Sequence, residues 1–154
     1  MKNIILGTAQ FDSSYSLVSN NSSIKDKLKI LSLAWEMGIR YLDCAPVYKN
    51  AEKTIGKWHL EHPNKKFKIL GKIQNYNNNE LLIKYIEDQI KKSFLNLKTY
   101  SYFCISMHNY DNNFNKNIFK YLIKNKKILN LENIGATIYS EKDLKDKKIL
   151  KVLD

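Results

Sequence analysis

The stretch GIRYLDCAPVYKNAEKTIG, residues 38–56, contains one strand, one loop and the beginning of a helix. Gly38 is typical of the position that ends a preceding helix, because glycine adopts the left-handed conformation there without strain. Residues 41–43 predict a short strand, Tyr48 lies in the loop beyond it, and residues 50–59 predict a helix. A strand followed closely by a helix is the repeating unit of α/β proteins.

The same alternation continues along the chain on both sides of this stretch. Apolar runs predict strands at residues 3–9, 41–43, 67–73, 102–107 and 134–139, and amphipathic patterns predict helices from Ile24 to about Gly38, over 50–59, 80–97 and 116–125, and from Glu141 onward. Such an order implies parallel strands joined by right-handed crossovers, so we predict an α/β fold in one domain. Five units in 154 residues, about 30 residues each, fit either a doubly wound sheet or a (β/α)8 barrel.

The glycines exclude the usual phosphate-binding turns. The chain has five, at positions 7, 38, 56, 71 and 135, and neither G-x-G-x-x-G nor a P-loop can be written with them. A bound nucleotide would therefore not be held by a Rossmann turn.

The formal charge of +11 raises the possibility of nucleic-acid binding. The lysines, however, are scattered along the chain and interleaved with acids, and Arg40 is the only arginine. Because arginine makes most bidentate phosphate and guanine contacts, we expect no nucleic-acid partner.

Cysteine, histidine and hydropathy patterns suggest a chain of the reducing cytoplasm. Cys44 and Cys104 lie in apolar runs, away from other ligands at metal spacing, and are expected to be core thiols. His59 and His62 are three residues apart but lack further ligands, so no metal site is expected. No run approaches the ~20 apolar residues of a membrane span, which predicts a cytoplasmic protein with no membrane partner.

Four polar residues lie at or just beyond the predicted strand ends, namely Asp43, Tyr48, Lys72 and His108. The carboxyl ends of parallel strands meet at one rim, where α/β enzymes place their functional groups. A phenol with a reference pKa of about 10 becomes a better acid beside an ammonium, a carboxylate keeps that ammonium charged, and an imidazole can hydrogen-bond a substrate oxygen. Each residue alone has a structural explanation, such as a helix cap or a surface lysine, but the four together predict a proton-transfer site.

Residues 38–56 resemble the aldo-keto reductase signature G-x-R-x-x-D-T-A-x-x-Y-x-x-[SA]-E-x-x-[IL]-G, with Cys44 in place of its threonine. The opening L-G-T-A-Q-F, residues 6–11, is similar to the family's first strand and loop. Lys72 and His108 match the third-strand lysine and the fourth-strand histidine, and I-G-A-T at 134–137 resembles the fifth-strand I-G-V-S motif, with Ile138 where asparagine often follows.

The resemblance implies a (β/α)8 barrel that transfers hydride from NADPH or NADH to a small-molecule aldehyde or ketone. By that likeness Tyr48 is the general acid, Lys72 tunes it, Asp43 supports Lys72, and His108 positions the carbonyl. Thr8 and Asp43 match residues near the nicotinamide ribose, and Thr137 matches the serine that binds the carboxamide.

Only about the first five βα units of such a barrel are present in the sequence, so we expect a truncated chain of doubtful activity alone. Five strands leave two open edges, which predicts possible self-association. The alternative function is a non-catalytic half-barrel that assembles with itself or with a partner.

Overall fold

The computed structural model describes residues 4–12, 22–74, 82–108, 116–138 and 140–141. Strands and helices alternate throughout these residues. In chain order they are β1 (Ile5–Gly7), a 3₁₀ turn (Ala9–Phe11), α1 (Ile24–Glu36), β2 (Tyr41–Asp43), α2 (Ala51–Glu61), β3 (Lys68–Ile73), α3 (Leu82–Leu97), β4 (Cys104–Met107), α4 (Lys116–Lys124) and β5 (Ile134–Ala136).

The described strands form one parallel sheet in the order β1-β2-β3-β4-β5. A doubly wound sheet reverses its strand order at a switch point, whereas a (β/α)8 barrel adds each strand beside the previous one. The sequential order therefore favours the barrel among the two architectures that the sequence left open. The fold is α/β, and the described part corresponds to five strands of such a barrel.

The core lies between the outer face of the sheet and the helices. Fully buried side chains from alternate strand positions, such as Leu42, Ile69 and Ile105, meet the apolar faces of α2 and α3, including Ile55 and Ile86. The opposite face of the sheet, which would line the interior of a barrel, is therefore left for more polar residues.

Local signals set the ends of α1. The Ser23 hydroxyl accepts from the Asp26 amide while the Asp26 carboxylate accepts from the Ser23 amide, which forms a capping box. Gly38, with φ of 84°, ends the helix as predicted. Arg40 donates to the Trp35 carbonyl at 2.6 Å and lies 3.9 Å from the Trp35 ring centroid, so the only arginine serves helix packing.

Helices α2 and α3 approach each other closely at Gly56, where an added Cβ would lie 1.9 Å from the Asn96 carbonyl oxygen. Beside this contact, buried His59 joins α3 to the start of β3. Its Nδ1 lies 2.8 Å from the Leu97 carbonyl oxygen, and its Nε2 accepts from the Phe67 amide at 3.1 Å. The carbonyl can only accept and the amide can only donate, so the ring is neutral with its proton on Nδ1.

Several predicted strands are longer than the observed ones. The strand predicted over 3–9 spans only Ile5–Gly7, because Thr8 turns the chain and the Phe11 amide donates back to the Thr8 carbonyl. The predicted strand start at Tyr102 is an isolated bridge to Leu131. The prediction of a fifth helix falls almost wholly on residues outside the described part.

Candidate active site

Main-chain hydrogen bonds between neighbouring strands bring the strand ends to one rim. The Thr8 amide donates to the Asp43 carbonyl at 3.0 Å, and the His108 amide donates to the Ile73 carbonyl at 2.8 Å. The Thr137 amide donates to the Met107 carbonyl at 3.3 Å. Each residue that follows one strand is thus fixed to the last residues of its neighbour, so functional side chains from separate parts of the sequence become adjacent.

Lys72 and Asp43 form an ion pair across neighbouring strands at this rim, in which Lys72 Nζ donates to Asp43 Oδ1. The Lys72 side chain is only 10% exposed, whereas that of Asp43 is 36% exposed. An ammonium removed from water in this way loses hydration, which a nearby negative charge can offset. The carboxylate supplies that charge while one side of it still faces the open rim.

Tyr48 reaches the same pair from the loop after β2. The turn over residues 45–48 is closed by the Tyr48 amide, which donates to the Ala45 carbonyl at 3.0 Å. Pro46 at the second position favours this kind of turn. The buried Tyr48 ring has its centroid 5.7 Å from Lys72 Nζ and 6.4 Å from the centroid of the His108 ring. The structure thus brings the four predicted residues together, while their catalytic roles stay predictions.

The two residues predicted to bind cofactor beside Asp43 have different surroundings. Thr8 is fully buried, and its hydroxyl donates to the Asp43 carbonyl at 2.8 Å. Thr137 is half-buried, and its hydroxyl lies 3.3 Å from that of Ser106. Thr8 therefore supports the rim through the backbone of Asp43, whereas Thr137 presents a hydroxyl on the inner face of the sheet.

Sequence reasoning missed Ser106. It lies on β4 two residues before His108, and side chains two apart on a strand share a face. The alternation of β4, with Ile105 and Met107 buried against the helices, is the signal that could have placed the Ser106 hydroxyl on the inner face.

Cys44, which directly follows Asp43, lies in the core as predicted, whereas Cys104 is only half-buried. Burial raises the pKa of the Cys44 thiol to about 12. The thiol therefore stays protonated at neutral pH and does not act as a nucleophile.

The described residues hold no group of three or more metal-ligating side chains. Both ring nitrogens of His59 are engaged with the backbone, and His62 stacks on Trp58 with ring centroids 4.3 Å apart. None of the helices that the structure describes is long and apolar enough to cross a bilayer.

A family model described as "Aldo/keto reductase family" matches residues 3–149. The chain belongs to this family. The match extends beyond the signature region and includes all five strands and the four residues at the rim. No curated protein matches the chain significantly.

Solved aldo-keto reductases share the fold. A putative aldo-keto reductase from Pseudomonas aeruginosa superposes with a TM-score of 0.75 and 19% identity, over 97% of this chain and 59% of that protein. The thermostable aldo-keto reductase Tm1743, solved with the inhibitor epalrestat, gives 0.71 and 16% identity, over 96% and 51% of the two chains. A putative 2,5-diketo-D-gluconic acid reductase B gives 0.70 and 16%, over 97% and 48%. The chain thus spans about half the length of these structures.

Proposed function

We propose that this chain supplies the proton-transfer half of an aldo-keto reductase that uses NADPH or NADH to reduce a small aldehyde or ketone. The observation that supports it best is the Lys72–Asp43 ion pair next to the Tyr48 and His108 rings at one rim. Membership of the family supports the general reaction class.

Each side chain has a distinct part in the proposed reaction. As hydride reaches the carbonyl carbon, the Tyr48 hydroxyl donates its proton to the carbonyl oxygen, and the product is an alcohol. Lys72 stabilises the phenolate that Tyr48 becomes, and Asp43 holds Lys72 in place through their ion pair. His108 hydrogen-bonds the carbonyl oxygen and holds it near the phenol.

The residues present fit one end of a nicotinamide cofactor. Thr137 offers a half-buried hydroxyl on the inner face, and the partly exposed Asp43 carboxylate can accept from a ribose hydroxyl. Thr8 would act on the cofactor indirectly, by holding the Asp43 backbone. When bound, the nicotinamide supplies the hydride.

A second candidate is a non-catalytic half-barrel that assembles with itself or with a partner. The β1 edge of the sheet favours it, because Ile5 and its neighbour Ile4 are each 46% exposed there. Exposed apolar residues on an edge strand are a ready site for association.

Joining this chain to the C-terminal half of the Pseudomonas aeruginosa structural relative gives a complete barrel in which the proposal can be tested. We expect it to oxidise NADPH or NADH, followed at 340 nm, in the presence of a panel of simple aldehydes and ketones. The Lys72→Met variant should lose most of that rate. A folded chimera that binds cofactor but reduces no carbonyl would contradict the catalytic proposal.

The 154-residue chain should bind NADPH weakly by itself. A few hydrogen bonds of roughly 0.5–1.5 kcal/mol each barely offset the loss of rotational and translational freedom on binding, so the expected Kd is about millimolar or weaker. Titration of NADPH fluorescence checks this value, and sedimentation velocity on the same sample tests association through the sheet edges. Micromolar binding by a monomer with carbonyl turnover would show that the 154-residue chain is sufficient.

A further inference from the structure

A groove of about 860 Å³ lies on the outer surface, between the C-terminal ends of α2 and α3 and the loop over residues 98–101. This loop leads into the start of β4, so the groove lies at the end of the sheet opposite the candidate active site. Phe94 lines it and packs on Tyr102 with ring centroids 5.0 Å apart. The groove is therefore a separate feature that the proposed reductase function does not use.

The groove exposes large apolar side chains to solvent. Leu60 at the end of α2 is 63% exposed, Leu95 on α3 is 70% exposed, and Tyr100 in the loop is 87% exposed. Single exposed apolar residues are common on protein surfaces, whereas several around one groove can all be covered by one apolar ligand.

The charge of this groove is of one sign. Lys66, Lys91 and Lys98 line it, and no acidic side chain from the described residues does. Two helix-end carbonyls near the groove are engaged, since the His59 carbonyl accepts from Lys66 Nζ at 3.0 Å and the Phe94 carbonyl accepts from the Thr99 amide at 3.3 Å. An anionic group would therefore complement the groove.

The backbone conformation of Lys98 is a second observation, independent of the charge, that bears on a ligand in the groove. It follows the last residue of α3 with φ of 54°, the left-handed conformation that favours glycine at a helix end. A lysine at this position carries a conformational cost that glycine would avoid. Its side chain lines the groove, so a ligand for the ammonium would account for a residue that helix termination does not favour.

We infer that the groove binds an amphiphilic anion, a single acyl chain with a carboxylate head. The chain would lie over Phe94 between Leu60 and Leu95, and the lysines would hold the carboxylate. The volume falls within the roughly 300–1,000 Å³ that is usual for small-molecule sites. This inference does not depend on the proposed reductase activity.

Dodecanoate, kept below its critical micelle concentration, is the probe for titration calorimetry on the full chain. Dodecyltrimethylammonium, with the same chain length and the opposite charge, is the matched ligand. We expect dodecanoate to bind at least tenfold more tightly than the cation. Absent binding, or equal binding of both ligands, would overturn the inference.

Lys98→Gly separates binding from folding, because glycine is favoured at this φ and the unfolding midpoint should stay the same or rise. Loss of one exposed ammonium should weaken dodecanoate binding by roughly twofold to fivefold. The single variant Leu95→Ser should weaken dodecanoate binding more than Lys98→Gly does, because it leaves the acyl chain exposed to water. Lys120→Ala on α4 and Leu33→Ser on α1 are the matched controls, since both side chains are exposed outside the groove.

Unchanged affinity in folded Lys98→Gly protein, or equal losses in the control variants, would show that general charge and hydrophobicity explain the binding. Displacement of dodecanoate by a short DNA duplex would instead assign the groove to a polyanion and would also overturn the inference.

Discussion

Acidification should destabilise this protein through one buried side chain, His59. Burial lowers the pKa of its imidazole from 6.5 to about 4, against the opposing effect of the hydrogen bond to Leu97. Protonation would also place a second N–H against the Phe67 amide, which now donates to Nε2. The protonated ring would therefore lose a hydrogen bond and carry a buried charge.

The size and direction of the effect follow from the two pKa values. Between pH 6.5 and about 4 the unfolded chain binds a proton that the folded chain does not. The contribution of neutral His59 to the free energy of unfolding is fully present above pH 6.5 and is lost as the pH falls towards 4. With about 1.4 kcal/mol for each pKa unit, the total loss is roughly 3–4 kcal/mol, most of it by about pH 4.5.

Urea unfolding followed by circular dichroism at several pH values measures this loss. His59→Gln keeps an amide that can hydrogen-bond nearby backbone but does not titrate, and carboxylates contribute in the same way to both proteins. The free energy of unfolding should therefore fall more steeply with acid in the wild type than in the variant. Parallel curves, or an NMR titration of the His59 ring with a midpoint near 6.5, would refute the reasoning.

Four further substitutions test packing, capping and the ion pair by urea unfolding. Gly56→Ala should cost about 1–3 kcal/mol or more, because the new Cβ would lie 1.9 Å from the Asn96 carbonyl; an unchanged midpoint would contradict this close approach. Ser23→Ala should cost about 1 kcal/mol by removing the cap of α1, and no loss would mean that the cap is not formed in solution. Asp43→Asn and Lys72→Met should each destabilise by roughly 1–3 kcal/mol, with less than the sum in the double variant; strict additivity would mean that the two do not interact.

The periodicity of apolar residues predicted most of the helices and strands correctly. The pattern 41–43 matches β2, and the end predicted for α3 at Leu97 is observed, since a long apolar stripe fixes which face of a helix is buried. The predicted end of the first strand was wrong, because an apolar residue such as Ala9 is compatible with both a strand and a 3₁₀ turn. The strand ends at Gly7 because the chain turns at Thr8, where the Phe11 amide donates back to the Thr8 carbonyl.

Parts of the candidate site were visible in the sequence because polar residues at the ends of apolar runs are conspicuous. The strand-end rule alone was enough to bring Asp43, Lys72 and His108 together. The Ser106–Thr137 contact was not predictable, because it depends on the register between β4 and β5, and a serine inside a strand resembles a surface residue. The lysine-lined groove also required the fold, since its walls come from two helices and a loop.

The central claim, that Tyr48 is the proton donor, is tested most directly by single-turnover reduction of an aldehyde in the completed barrel. We expect Tyr48→Phe to lower the rate at least ~100-fold, since general acid catalysis contributes typically about 10²–10⁴, with little change in cofactor affinity. The matched control is Tyr41→Phe, which removes the same hydroxyl from a ring that packs on Phe103 in the sheet and should leave the rate near that of the wild type. A Tyr48→Phe protein that reduces the aldehyde at the wild-type rate would contradict the account.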